Sequence, residues 1–153
     1  MEYRFDVQHT RGLEGEAALD ALFARWYRIT AASATEQRQG IDRWFSHDTR
    51  RISVEYKTDT TAARTGNAFV ETVSVDTSGK QGWAYTSQAD YLAYYIPPDG
   101  VVYVMRFSRL RRQLPRWDLL YPTRTIPNQG YHTHGLLVPL GEFDALSEAV
   151  MSI

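Results

Sequence analysis

The sequence predicts a single α/β domain, residues 1–153, in which a mixed central sheet is flanked by helices. Three observations lead there. Leu19, Leu22, Phe23, Trp26 and Tyr27 recur at helical spacing ahead of a group of strand-like segments. Arg51 to Lys57 alternates strictly, with Ile52, Val54 and Tyr56 on one face and Ser53, Glu55 and Lys57 on the other. Val101 to Phe107 is an almost unbroken apolar run, the mark of a strand covered on both faces. A chain of 153 residues can bury one core of its own.

Taken in order, the apolar stripe predicts a helix from Leu13 to Ile29. Glu16 stands at the edge of that stripe and Glu14 on the solvent side. A carboxylate leaning toward a core needs a partner; one near a helix start also gains from the helix dipole. Ala31 to Gln39 reads as a polar connection. Gly40 punctuates it, and Ile41 to Phe45 follows as a strand carrying Asp42. The alternating segment from Arg51 is the next strand, with Glu55 and Lys57 side by side near its end. Thr60 to Asn67 has turn chemistry, and Ala68 to Val75 is a third strand in which Glu71 is an isolated acid.

Further on, Ser87 and Asp90 form a helix-start pattern, and Ala89, Leu92, Ala93 and Ile96 predict a helix ended by Pro97-Pro98. After the apolar strand, Ser108 can cap a short helix that Pro115 should break or kink. Tyr121 to Gly130 reads as loop, Gly135 to Leu140 as a last strand, and Phe143 to Val150 as a closing helix. The expected order is helix, three strands, helix, strand and a mixed tail.

Composition narrows the function classes. There are no cysteines, which removes disulfides and thiolate metal sites. No apolar run approaches the roughly 18 residues of a membrane span. The N-terminus lacks the apolar segment of a signal peptide, so a cytoplasmic protein without membrane association is expected. The net charge of −1 gives no general affinity for nucleic acid, so any such contact must come from local clusters. Arg106, Arg109, Arg111, Arg112 and Arg116 form the most basic stretch, a candidate surface for tracking a phosphate backbone, with Arg106, Arg109, Arg112 and Arg116 the named contacts. His132 and His134 lack an evident third ligand and read as loop or edge residues.

The stretch from Gly40 to Asp59 carries the chemistry. Asp42, Glu55 and Lys57 would meet on one sheet, and two carboxylates with an ammonium suit a hard divalent cation and a phosphate. E-x-K is a weak motif by itself, and a plain surface salt bridge is its ordinary explanation. The order of elements around it adds weight.

On these residues the chain resembles the PD-(D/E)xK phosphodiesterase superfamily, which includes restriction endonucleases and Holliday-junction resolvases. The resemblance spans about Leu13 to Phe107 and departs at Ile41, where proline is frequent. It implies a restriction-endonuclease-like αβββαβ core with a C-terminal extension. It further implies a Mg²⁺- or Mn²⁺-dependent nuclease acting on DNA through Asp42, Glu55, Lys57 and the helix residue Glu16. Asp42, Glu55 and the Tyr56 backbone carbonyl would hold the metal. Glu16 would serve as an outer-shell ligand or hold a second metal, and Glu71 is a possible accessory. Cutting both strands of a duplex with one site per chain would call for a homodimer. The alternative is a non-catalytic nucleic-acid-binding or assembly subunit of the same fold.

Overall fold

The computed structural model describes residues 2–153, with side chains described for His9 and from Arg11 onward. Helix α1 (Glu2–Phe23) leads to strand β1 (Arg28–Ala31), helix α2 (Ala34–Arg38), and strands β2 (Arg43–His47) and β3 (Arg50–Thr58). Helix α3 (Ala62–Thr65), strands β4 (Asn67–Val75) and β5 (Lys80–Gln81), and helix α4 (Trp83–Thr86) follow. Strands β6 (Tyr91–Ile96) and β7 (Val101–Arg106) precede helix α5 (Phe107–Leu120). Last come β8 (Thr123–Pro127), β9 (His132–Pro139), α6 (Leu140–Leu146) and β10 (Ala149–Ser152).

The strands make two sheets. The central one has six strands in the order β1-β2-β3-β6-β7-β10, and the second has four in the order β5-β4-β9-β8. In the central sheet only β3 and β6 run parallel; the other neighbours are antiparallel. The second sheet is antiparallel throughout. The fold is therefore mixed α/β, with a mixed central sheet flanked by helices.

Each face of the central sheet has its own core. Leu19, Leu22 and Phe23 of α1 pack on Phe45, Val54, Tyr56, Ala93, Tyr95 and Val102. On the opposite face Leu92, Tyr94, Tyr103 and Met105 meet Phe107, Leu110, Leu114 and Trp117 of α5 and Phe143 of α6. Ala68, Val70, Leu136 and Val138 bring the second sheet into this same core.

Several elements differ from the sequence expectation, each for a physical reason. Residues 91–96, expected to be helical, form β6. Buried on both faces, β6 shows no alternation, and its tyrosines favour a strand. Asp90 is not a helix cap: its carboxylate accepts the Ser53 N–H at 2.9 Å, and its own N–H donates to Ser53 Oγ at 2.9 Å. Helix α1 ends at Phe23, leaving Trp26 and Tyr27 exposed beyond it. Strand β1 went unseen because only Ile29 of its four residues is even half-buried.

The expected third strand, residues 68–75, belongs to the second sheet as β4. Residues 123–127, expected as loop, pair with β9 as β8, an exposed strand with no apolar alternation. Residues 149–152, of which 149 and 150 were expected to end a helix, form the edge strand β10 against β7. Helix α5 runs through Pro115 because its stripe of Phe107, Leu110, Leu114 and Trp117 is buried. That burial outweighs the one hydrogen bond lost at proline.

Glu142 anchors the junction of α5 and α6. It accepts hydrogen bonds from Arg116 at 2.5 Å, Trp117 Nε1 at 3.1 Å and Tyr121 Oη at 2.7 Å. Arg116 above all, then Tyr121, hold its carboxyl down to about 2. The stabilisation from a lowered carboxyl is present above the unfolded value near 4.5 and is lost as pH falls toward 2. Glu142→Gln should cost about 1–2 kcal/mol at neutral pH, as a charged acceptor is lost. Urea unfolding at a series of pH values should show the difference from wild type shrinking below about 4.5.

Candidate functional site

Strand β3 places Glu55 and Lys57 on the face opposite α1. Arg43 pairs with Val54 across the β2–β3 ladder, so Asp42, one residue earlier, lies beside Glu55. Two hydrogen bonds fix Asp42 there. Its N–H donates to the Val54 carbonyl at 3.0 Å, and its Oδ2 accepts the Tyr56 N–H at 2.8 Å. The Tyr56 carbonyl leaves β3 on that same edge, since one residue directs both backbone groups to one neighbour. Asp42, Glu55, Lys57 and the Tyr56 carbonyl are thus gathered in one place.

Burial makes this group chemically unusual. Glu55 is 4% exposed. Lys57 Nζ lies 3.0 Å from Glu55 Oε1, while Glu55 Oε2 is buried with no hydrogen-bond partner. Burial pushes the Glu55 carboxyl up, Lys57 and Ser87 only partly offset this, and Asp42 adds to the rise. For Lys57, burial pulls its pKa down, but Glu55, Asp42 and Glu71 more than compensate and leave it raised. Lys57 therefore carries its proton throughout the neutral range.

The surrounding walls come from the segment between β3 and β6. Trp83 places its ring 5.7 Å from Lys57 Nζ, and its backbone N–H donates to Glu71 Oε1 at 3.3 Å. Glu71 reaches the site from the second sheet, and burial raises its carboxyl pKa. Ser87 Oγ donates to the Gly40 carbonyl at 3.1 Å. Gly40 has φ +85°, and a Cβ there would stand 2.9 Å from Ser87 Cα. Glycine is needed here for both the left-handed backbone and the close approach. Gly82 likewise has no room for a Cβ against the Glu71 backbone.

Glu16 does not join this group. It faces the other side of the sheet and lies 3.4 Å from Arg43 Nη2. Arg43 also bonds Asp20 at 3.0 Å and donates to the Asp42 carbonyl at 3.0 Å. Glu16 and Asp20 thus hold the arginine that ties α1 to the Asp42 backbone. Asp20 also accepts the Tyr56 hydroxyl at 2.9 Å. Sequence reading missed Asp20 and Arg43; the Glu16–Asp20 spacing of one helical turn was the available signal.

The four basic candidates divide. Arg106 lies 2.6 Å from Glu148, and Arg116 is bound to Glu142. Arg109 and Arg112 are exposed on α5. Arg111 of the same basic stretch is half-buried, donates to the carbonyls of Ala84 and Ser87 and so braces the wall beside Glu55. His132 and His134 both approach Asp76 Oδ2, at 3.4 and 3.3 Å. Among the described residues no three acid, histidine or cysteine side chains are grouped so as to hold a metal by themselves. A groove of about 880 Å³ opens elsewhere, at the opposite end of β3 around Arg50, Asp90 and Arg106.

No family model, curated protein or solved structure matches the chain. Among the described residues no helix is long and apolar enough to cross a membrane.

A carboxyl with a raised folded pKa favours folding below its unfolded value and loses that contribution as pH rises through the folded one. Relative to wild type, Glu55→Gln should therefore gain stability as pH rises, set against a loss from leaving Lys57 without its partner. Thermal unfolding should show this gain disappearing as pH falls toward the ordinary value near 4.5.

Proposed function

We propose that the chain is a divalent-metal-dependent phosphodiesterase that hydrolyses DNA, built on a restriction-endonuclease-like core. The observation that carries this reading is Glu55 Oε2, a buried carboxylate oxygen without a partner, next to Lys57 and Asp42. An unpaired buried acceptor is costly and calls for a proton or a cation. The acids Asp42, Glu55 and Glu71 all act on the Lys57 ammonium, so three oxygen-bearing groups converge on one point. Element order supports the fold: α1, β1, β2, β3, α4 and β6 occur in the sequence αβββαβ, with α3 to β5 inserted before α4 and a short α2 before β2.

Mg²⁺ or Mn²⁺ would be held by Asp42, Glu55 and the Tyr56 carbonyl, oxygen donors of the type these ions prefer. Bound there, the ion supplies Lewis-acid stabilisation of phosphate charge and lowers the pKa of a water. The chain's own groups do the rest. Lys57, protonated and anchored on Glu55, offers a point charge and N–H donors to the phosphate and to the attacking water. Its raised pKa favours this electrostatic role over proton abstraction. Tyr56 and Val54 fix Asp42 through the backbone, while Trp83 and Ser87 limit water around Glu55. Glu16 acts at one remove, through Arg43.

A non-catalytic DNA-binding subunit is the second reading. It is favoured by the absence, among the described residues, of a three-side-chain metal cage. Calorimetry with Mn²⁺ separates the two: the enzyme reading expects binding that weakens as pH falls through the raised Glu55 pKa. Cleavage of duplex and single-stranded oligonucleotides should require Mg²⁺ or Mn²⁺. Asp42→Ala, Glu55→Gln and Lys57→Ala should each lose about 10²-fold or more in rate with an unchanged circular dichroism spectrum. Robust cleavage by Asp42→Ala and Lys57→Ala would refute the assignment.

A further inference from the structure

Along β2 and β3, on the same face as Glu55 and Lys57, lies a second organised group. Ser53 pairs with Trp44 and Arg51 with Ser46, so Trp44 and Arg51 share the face of Asp42 and Glu55. The Arg51 guanidinium carbon lies 3.8 Å from the centre of the Trp44 ring. The indole is itself held in place: Trp44 Nε1 donates to Glu36 Oε2 at 2.9 Å. Glu36 is fixed in turn by the capping box of α2, with its Oε1 accepting the Ser33 N–H at 2.9 Å. Both Glu36 oxygens are therefore engaged, and among the described residues no carboxylate pairs with Arg51 within 4.0 Å.

A guanidinium lying on an indole keeps its N–H edge free. Its orientation is set in advance, so less side-chain freedom is lost on binding. The arrangement is unlike Arg106 and Arg116, whose guanidinium groups are engaged by Glu148 and Glu142. Arg51 precedes Glu55 by four residues of one strand, roughly 13 Å at the usual rise. Phosphates of one DNA strand advance about 3.4 Å each along the duplex axis and also wind around it, so this distance reaches a phosphate only a few nucleotides away.

We propose that Arg51, stacked on Trp44 and aligned by Glu36, binds a backbone phosphate of the DNA strand whose scissile phosphate sits at Glu55 and Lys57. The inference rests on the nuclease reading above. It assigns the path of the substrate strand along β3, from Lys57 toward Arg51. Arg51 is a positioning residue in this scheme and takes no part in the bond-breaking step.

Binding of fluorescein-labelled DNA oligonucleotides, read by anisotropy with Ca²⁺ in place of Mg²⁺ across a salt series, tests the assignment. Arg51→Ala should raise Kd about tenfold and reduce the slope of log Kd against log salt by about one. Arg51→Lys should restore the slope without the full affinity, because lysine cannot present the planar fork. Trp44→Ala, which removes the stack and keeps the charge, should raise Kd with the slope unchanged. In cleavage assays with Mg²⁺ the Arg51→Ala loss should fall on KM. Wild-type Kd and slope in Arg51→Ala, with Lys57→Ala still unable to cleave, would overturn the Arg51 assignment and leave the nuclease reading standing. A wild-type protein that neither binds nor cleaves DNA would overturn both.

Discussion

Parallel pairing of β3 with β6 is the constraint on which the rest of the structure depends. Parallel neighbours cannot be joined by a tight turn, so the chain between them must cross over. Here the crossover is long enough to contribute α3, β4, β5 and α4. The reciprocal bonds between Ser53 and Asp90 set where the pairing begins. From that register, Ser87 comes against Gly40 and Trp83 comes over Lys57. A crossover that only returned the chain to the sheet would leave Glu55 and Lys57 open to solvent. This one walls them and delivers Glu71 from the second sheet.

The walls create the chemical tension at the site. A carboxylate on a solvated sheet is unremarkable, whereas Glu55 has lost its water and gained one ammonium in exchange. Burial dominates, so its affinity for protons is raised. The molecule carries this cost in the buried part of a central strand. Arg43 performs the opposite function on the other face. There Glu16 and Asp20 satisfy a guanidinium that clamps α1 to the Asp42 backbone. On one face of the β2–β3 hairpin two carboxylates share an arginine at hydrogen-bond distance; on the other a buried carboxylate oxygen is left without a hydrogen-bond partner.

Much of this was legible in the sequence, for identifiable reasons. Residues 51–57 announce their faces by strict alternation, and Asp42 sits one residue ahead of a strand that pairs with them. Spacing thus put Glu55 and Lys57 on one face, and the order of elements brought Asp42 beside them. Residues 91–96 could not be read, because a strand buried on both faces shows no period, and the nearby Ser87 and Asp90 mimic a helix start. β1 and β8 were hidden for the opposite reason, being exposed and without an apolar face. The helical stripe set Glu16 at its edge, but a stripe does not say which face of a sheet it covers. The Trp44–Arg51 stack joins residues on two strands and was invisible until their register was known.

The same parallel register has a kinetic consequence. The β1–β2–β3 meander and the β6–β7 hairpin close short loops and can form locally. Joining them requires closing the loop that contains α3 to α4, with a larger loss of chain entropy. The walled carboxylate therefore belongs to the late stage of assembly: Glu55 stays hydrated in the isolated meander and loses its water only when β6 docks. A cost incurred after the rate-limiting encounter affects how fast the protein opens more than how fast it forms. Parting the seam between β3 and β6 would return Glu55 to water and relieve that cost.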